Sequence, residues 1–140
     1  MWGTYANDHG GVDIVGSPDD LGGLERKITD GYLGDVPLGV PPAPELVGGR
    51  SPVEALRISL RGKGILLRRE GAVVEIAGDR HQLTDVIGGT LSGLAETAYK
   101  ITSESVPTHV HLDPSVGRPY APESTVEIAF HLERGDVPPH

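Results

Sequence analysis

The chain has 140 residues, of which 37% are hydrophobic, and this fits one domain with its own core. It contains one Phe, one Trp and four Tyr, so Val, Ile, Leu and Ala must supply most of that core. A formal net charge of −8 argues against nucleic acid or an anionic membrane as the main partner and permits a basic protein partner.

The sequence has no cysteine, which excludes disulfide bonds and thiolate metal sites and suits a reducing compartment. The N-terminus lacks a basic region followed by an apolar run. No stretch approaches the roughly 20 apolar residues that a membrane-spanning helix requires. We therefore expect a cytoplasmic protein with neither nucleic acid nor a membrane among its partners.

The first half of the chain predicts two strands, a helix and a long connection. Residues 1–6 are predicted as a short edge strand, and residues 12–16 alternate like a half-buried strand. Ser17 as N-cap and Pro18 at the first helical position then begin a helix. Its apolar face consists of Leu21, Leu24 and Ile28. Residues 31–50 are rich in Pro and Gly and predict an extended connection, either ordered against the domain or mobile.

The next segments predict three strands and a longer helix. Residues 53–60, 64–69 and 72–77 are separated by tight turns, and this pattern predicts an antiparallel meander. Asp79 is the predicted N-cap of a helix of about five turns, and Gln82 completes a capping-box pattern. The apolar stripe of this helix consists of Leu83, Val86, Ile87, Leu91, Leu94, Ala95 and Ala98.

The last segments predict two strands and a tail. Residues 108–113 and 125–133 read as a hairpin-like pair, and residues 136–140 as a frayed tail. The sequences VDIVGSPDDL and VEIAGDRHQL, which begin at Val12 and Val74, match in their Val, Ile, Gly and Leu positions. We interpret this match as a tandem duplication, although chance similarity between two strand-turn-helix units is the alternative.

The predicted fold is an α+β two-layer sandwich, a mostly antiparallel sheet with two helices on one face. It is a single domain built from two ββαββ-like pseudo-repeats at about 1–62 and 63–135. The uncovered face of the sheet is where a functional surface or an oligomer contact is expected.

The only polar cluster that suggests chemistry is on the strand at 108–113. His109, His111 and Asp113 alternate along it and therefore share one face, as part of a zinc or other divalent metal site would. A further ligand would come from His131, Glu127 or Asp8. The alternative is that this face is simply solvent-facing, with Val110 and Leu112 directed to the core.

The loop that follows this strand holds a second group of polar residues. Arg118, Tyr120 and Glu123 suit a recognition surface, and ordinary loop polarity is the alternative. The Gly-rich stretches do not follow the strand-to-helix pattern of a phosphate-binding loop, and no Ser-His-Asp or Cys-His arrangement stands out. We therefore assign no catalytic residue and no cofactor, with a divalent metal as the alternative.

The runs VEIAGDRHQLTDVIGGTLSGLAE, THVHLDPSVGRPYAPES and TVEIAF resemble the immunity protein 32 group of bacterial polymorphic toxin systems. The resemblance covers about residues 71–132, with a degenerate echo in the first half that lacks the histidines of HVHLD. It implies a small α+β protein that binds a cognate toxin and covers its active site. An acidic inhibitor suits a basic nuclease toxin, since complementary charge speeds encounter.

The expected function is thus that of a non-enzymatic protein-binding module. Its expected contact residues are His109, His111, Asp113, Arg118, Tyr120 and Glu123. The alternatives are a metal-binding protein or metal-dependent hydrolase centred on the histidine strand, and a homodimer joined through the uncovered sheet face.

Overall fold

The computed structural model describes residues 1–8, 10–41, 49–96 and 109–133. The strands are β1 (Trp2–Ala6), β2 (Gly11–Gly16), β3 (Gly34–Pro37), β4 (Arg50–Pro52), β5 (Ala55–Leu60), β6 (Leu66–Glu70), β7 (Val73–Gly78), β8 (His109–Leu112) and β9 (Glu127–Leu132). The helices are α1 (Pro18–Thr29) and α2 (residues 80–96), and a short 3₁₀ turn covers Pro114–Val116. Helix α2 is α-helical at Arg80–Gln82, π-helical at Leu83–Gly88 and α-helical again at Gly89–Glu96.

The strands divide into two mixed sheets. Sheet 1 has the order β4-β1-β2-β9-β8, and sheet 2 has the order β3-β5-β7-β6. The pairs β2–β9 and β5–β7 are parallel, and the other pairs are antiparallel. The predicted α+β sandwich of mostly antiparallel strands with two helices is confirmed, with the difference that the strands form two sheets. Strand β1 lies between β4 and β2 and is therefore an interior strand of sheet 1.

The predicted antiparallel meander is wrong in its strand order. Strand β5 pairs in parallel with β7, and β6 pairs with the other side of β7 at the edge of sheet 2. The turn after β5 includes Lys63 and Gly64, both at positive φ, and the next residue, Ile65, forms a bridge to Tyr120. The turn residues thus indicate that the chain reverses direction after β5, but they do not determine which strand pairs with β5.

Both helices begin at the predicted capping residues. Ser17 Oγ accepts the Asp20 N–H at 3.0 Å and Asp20 Oδ2 accepts the Ser17 N–H at 3.0 Å, a complete capping box. Asp79 Oδ1 accepts the Gln82 N–H at 2.7 Å. The Gln82 Oε1 atom is buried without a hydrogen-bond donor among the described residues. The capping box predicted for α2 is therefore half formed.

One mainly aliphatic core, which also includes Phe130, joins both sheets and both helices. Alternate residues of β2 and β7 point into it, including Ile14 and Ile76, which are 0% exposed. The two helices contact each other and bury one face each. The buried helix residues are Leu21, Leu24, Ile28, Leu83, Ile87, Leu91 and Leu94. The predicted apolar stripes are confirmed within the described residues, and Ala98 lies outside them.

The two sheets share a pattern of connection. In each, a hairpin leads into a helix, and the strand before the helix pairs in parallel with a strand from outside that hairpin. Val12 of β2 lies opposite Ile128 of β9, and Val74 of β7 lies opposite Leu56 of β5. The tandem duplication itself stays a prediction.

The Pro- and Gly-rich connection at 31–50 is partly built into the sheets. Strand β3 lies within it and pairs antiparallel with β5, while β4 begins at its last residue, Arg50. Residues 42–48 of the connection and the predicted tail at 136–140 lie outside the described residues. Neither helix in the described part of the chain is long and apolar enough to cross a membrane.

Candidate functional site

The pairing of β8 with β9 places three histidines on one side of sheet 1. His109 lies opposite His131, and Leu112 lies opposite Ile128 in an antiparallel register. Leu112 is 1% exposed and Val110 packs against the core, so the expectation that these two residues face inward is confirmed. Since side chains alternate along a strand, the imidazoles lie on the side opposite the core.

We call this side of sheet 1 the imidazole face and define it by six residues. They are Asp13, Arg50, His109, His111, Glu127 and His131. The ring centroids of His109 and His111 are 5.0 Å apart at an interplanar angle of 87°. Those of His109 and His131 are 5.5 Å apart at 28°, a stacked arrangement. His109 is therefore the centre of the imidazole cluster.

Carboxylates flank this cluster on both sides. Glu127 Oε1 lies 2.8 Å from His111 Nδ1, and Asp13 Oδ1 lies 2.8 Å from His131 Nε2. Each contact fixes the orientation of one ring and engages one of its two nitrogens. The side chains of His111 and Glu127 are 49% and 46% exposed, so this pair is open to solvent.

Arg50 ties the Asp13 side of the face to strand β4. Its Nη2 donates to Asp13 Oδ2 at 2.7 Å, and its Nε donates to Thr4 Oγ1 at 2.8 Å. Thr4 is only 3% exposed, so this bond satisfies a buried hydroxyl. Asp13 thus has two partners, the Arg50 guanidinium and the His131 ring. Together they hold its carboxylate in place.

Asp113 lies just beyond β8 and has a local role. Its Oδ1 accepts the Ser115 N–H at 2.9 Å at the start of the 3₁₀ turn. Hydrogen bonds from the Ser115 side chain and backbone lower the pKa of the Asp113 carboxyl. Within the part of the chain that the structure describes, no three His, Asp or Glu side chains form a ready-made group for a metal ion.

The loop between β8 and β9 is fastened to the strand at the edge of sheet 2. Ile65 N–H donates to the Pro119 carbonyl at 2.9 Å, and Ala121 N–H donates to the Ile65 carbonyl at 2.7 Å. Partial burial, with a smaller contribution from the charge of Asp113, raises the pKa of Tyr120. This loop is therefore an ordered part of the fold.

The other two loop residues predicted to contact a partner differ in their surroundings. Arg118 is exposed, and it precedes Pro119 through a cis peptide bond. Glu123 forms an ion pair with Arg61, whose hydrogen bond to it lowers the pKa of the Glu123 carboxyl. A contact role for Arg118, Tyr120 and Glu123 stays a prediction.

The outer face of sheet 2 carries a continuous chain of ion pairs. Arg57 Nε donates to Asp35 Oδ1 at 2.8 Å, and Arg57 Nη1 lies 3.9 Å from Glu70. Arg68 contacts both Glu70, at 3.4 Å, and Glu75, at 2.5 Å. Each of these charged groups thus has a partner of opposite charge on the same face.

The pair of Asp35 and Arg57 predicts an acid-sensitive contribution to stability. The hydrogen bond from Arg57 lowers the pKa of Asp35 below its ordinary 3.8, so the folded state favours the carboxylate. This stabilisation is complete above the unfolded pKa and is lost as the pH falls through the lower, folded pKa. The free energy of unfolding of wild type relative to Asp35→Asn should be constant near pH 6 and shrink below about pH 4. Urea unfolding across this range measures it, and a difference that grows on acidification would contradict the prediction.

Sequence reasoning missed the roles of Asp13 and Arg50. Both come from the first half of the chain, and they reach the histidines only because β2 pairs with β9 and β4 lies two strands away from β2. The outward position of Asp13 in the alternating strand VDIVG was the available signal. Arg50 is the last residue of the Pro- and Gly-rich connection, and no pattern in the sequence indicated its contact with Asp13.

Comparison with known proteins assigns neither a family nor a function to this chain. No family model matches this chain, and neither a curated protein nor a solved structure shows significant similarity to it.

Proposed function

We propose that this protein is a non-enzymatic protein-binding module whose imidazole face binds a basic partner protein. The corresponding biological role is that of an immunity protein, which neutralises a cognate bacterial toxin. The observation that supports the proposal is the difference between the outer faces of the two sheets.

On sheet 2 the outer charges are already paired with one another, so a partner would have to break those pairs. The imidazole face also has paired groups, such as His111 with Glu127, but its central ring, His109, is exposed, contacts only other imidazoles among the described side chains and lies beside a shallow depression. The depression is lined by Trp2, Thr4, Asp13, Val15, Arg50 and His131. Aromatic and Arg side chains are enriched in protein interfaces, and this combination suits a binding surface.

Trp2 adds a specific reason to expect a contact here. Its Nε1 atom is buried and has no hydrogen-bond acceptor among the described residues. A donor left without an acceptor costs free energy. Because the Nε1 atom is buried, a partner carbonyl or carboxylate at the depression would satisfy it only after the Trp2 side chain shifts toward the surface. The formal net charge of −8 favours a basic partner because opposite charge accelerates encounter.

The predicted loop contacts follow the histidine strand directly in the chain. The segment between β8 and β9 contains Arg118, Tyr120 and Glu123, and it begins at Asp113, directly after the histidine strand. We propose that a partner covering the whole length of β8 extends past Asp113 to this loop.

Affinity capture with matched variants tests the proposal. The immobilised wild type, a His109→Ala/His111→Ala double variant and an Arg68→Ala control are each exposed to lysate of the source cell. All three substitutions are at exposed positions on outer sheet faces, so the fold should persist. We expect the wild type and the control to retain a basic protein that the double variant loses.

Retention alone is not sufficient support, so the captured protein is then expressed in a test cell. We expect it to be toxic, and co-expression of the wild type, but not of the double variant, should relieve the toxicity. Equal retention by the wild type and the double variant would overturn the assignment of the imidazole face. A captured protein without toxicity would overturn the immunity role.

Light scattering separates self-association from partner binding. The homodimer alternative predicts a wild-type dimer that the double variant converts to a monomer. That result would assign the imidazole face to contact with a second copy and would overturn the proposed partner.

A further inference from the structure

Two of the three pairs of imidazoles on the imidazole face have ring separations close to those of metal ligands. In a tetrahedral zinc site with Zn–N distances of about 2.0–2.1 Å, the centroids of two bound imidazoles lie about 5 Å apart. The centroid of the His109 ring lies 5.0 Å from that of His111 and 5.5 Å from that of His131. The spacing along β8 and its antiparallel pairing with β9 thus bring His111 and His131 each to about this separation from His109.

The carboxylates beside the outer two rings supply the second observation. A metal-bound histidine almost always donates its other ring N–H to a carboxylate, carbonyl or water. His111 Nδ1 already contacts Glu127 and His131 Nε2 already contacts Asp13, both at 2.8 Å. These contacts leave Nε2 of His111 and Nδ1 of His131 as the atoms for coordination.

We propose that His109, His111 and His131 bind one divalent zinc-type ion, with Glu127 and Asp13 orienting the outer two imidazoles. This ligand set differs from the one predicted from sequence, because His131 replaces Asp113. The Asp113 carboxylate is instead engaged by Ser115 at the start of the 3₁₀ turn. The inference does not depend on the proposed partner-binding role.

Binding requires a change in the ring positions, because no described group is arranged for a metal ion as it stands. The His109 ring is stacked on that of His131 at 28°, so their nitrogens do not converge. His109 is exposed, and its side chain can adopt another rotamer without displacing core residues. Three imidazoles leave a fourth position for water or a donor atom of a partner.

Titration of protein without a histidine tag tests the site. Calorimetry with Zn²⁺ measures affinity and stoichiometry, and the visible absorption of added Co²⁺ reports whether the coordination is tetrahedral. We expect one ion per chain and a tetrahedral Co²⁺ spectrum. Absence of saturable binding, or an octahedral spectrum, would overturn the proposal.

Variants distinguish the two ligand sets. His131→Ala should weaken Zn²⁺ binding by more than the roughly 10- to 100-fold expected for the orienting variant Glu127→Gln. Asp113→Asn should leave the affinity unchanged, as should His81→Ala, which removes an exposed histidine paired with Asp85 on α2. A loss in Asp113→Asn that equals the loss in His131→Ala would overturn the assignment of His131. An equal loss in His81→Ala would show non-specific surface binding and overturn the site.

Discussion

Phe130→Ala is expected to lower the free energy of unfolding by about 3–5 kcal/mol. Phe130 is the only Phe of the chain, is 0% exposed and lies on β9, between Ile14 of β2 and Val110 of β8. Its removal would leave a cavity where sheet 1 meets the core, and the neighbouring strands can fill that space only in part. Since domains of this size are stable by about 5–15 kcal/mol, the variant should be close to unfolding.

Equilibrium unfolding in urea measures this loss. Val116→Ala is the control, because Val116 is 70% exposed and its truncation should change the free energy of unfolding by less than about 0.5 kcal/mol. If both variants lost about the same free energy, Phe130 would not be the central core residue that the structure indicates.

Gly64→Ala should destabilise the protein by about 1–3 kcal/mol. Gly64 has a φ of 96°, a backbone conformation that side chains with a Cβ rarely adopt. A Cβ at this position would also lie 2.9 Å from the Pro119 carbonyl oxygen. Because that carbonyl accepts the Ile65 N–H, the added atom would push the β8–β9 loop away from sheet 2.

Gly62→Ala in the same turn is the matched control. A Cβ there meets nothing within 4 Å, and its φ is outside the positive range. Thermal unfolding of both variants should show a lower melting temperature for Gly64→Ala and a melting temperature near that of wild type for Gly62→Ala. Equal changes in melting temperature for the two variants would mean that the close contact between Gly64 and the β8–β9 loop does not contribute to stability.

Local patterns in the sequence predicted the elements that depend on local chemistry. The alternation of β2 and β7, the N-caps Ser17 and Asp79, and the inward position of Leu112 each follow from residue periodicity or a single hydrogen bond. The helix stripes were predictable for the same reason, since packing on one face requires spacings of three and four.

Strand neighbours were not predictable in this way. Alternation in β5 is compatible with pairing to β6 or to β7, and the tight turn after Leu60 favoured the wrong choice. The half-formed cap of α2 shows a similar limit: Gln82 has the right type and spacing, yet its side chain does not reach the Asp79 N–H. Tertiary packing determined both the pairing partner of β5 and the position of the Gln82 side chain.

The same limit applies to the candidate site. The shared face of His109 and His111 follows from their spacing on one strand, whereas the approach of His131, Asp13 and Arg50 requires the pairing of distant segments. The contacts that join the two halves of the chain leave no signature in any single stretch of sequence.

The interior position of β9 in sheet 1, between β2 and β8, has a consequence for folding during synthesis. During synthesis, β1 and β2 leave the ribosome long before β9, whose parallel pairing with β2 joins Val12 to Ile128. Until β9 arrives, β2 presents an open edge, which is the kind of surface that promotes aggregation. Such distant contacts slow folding because a long loop must close before they form. Nascent chains that end before Glu127 should therefore depend on chaperones.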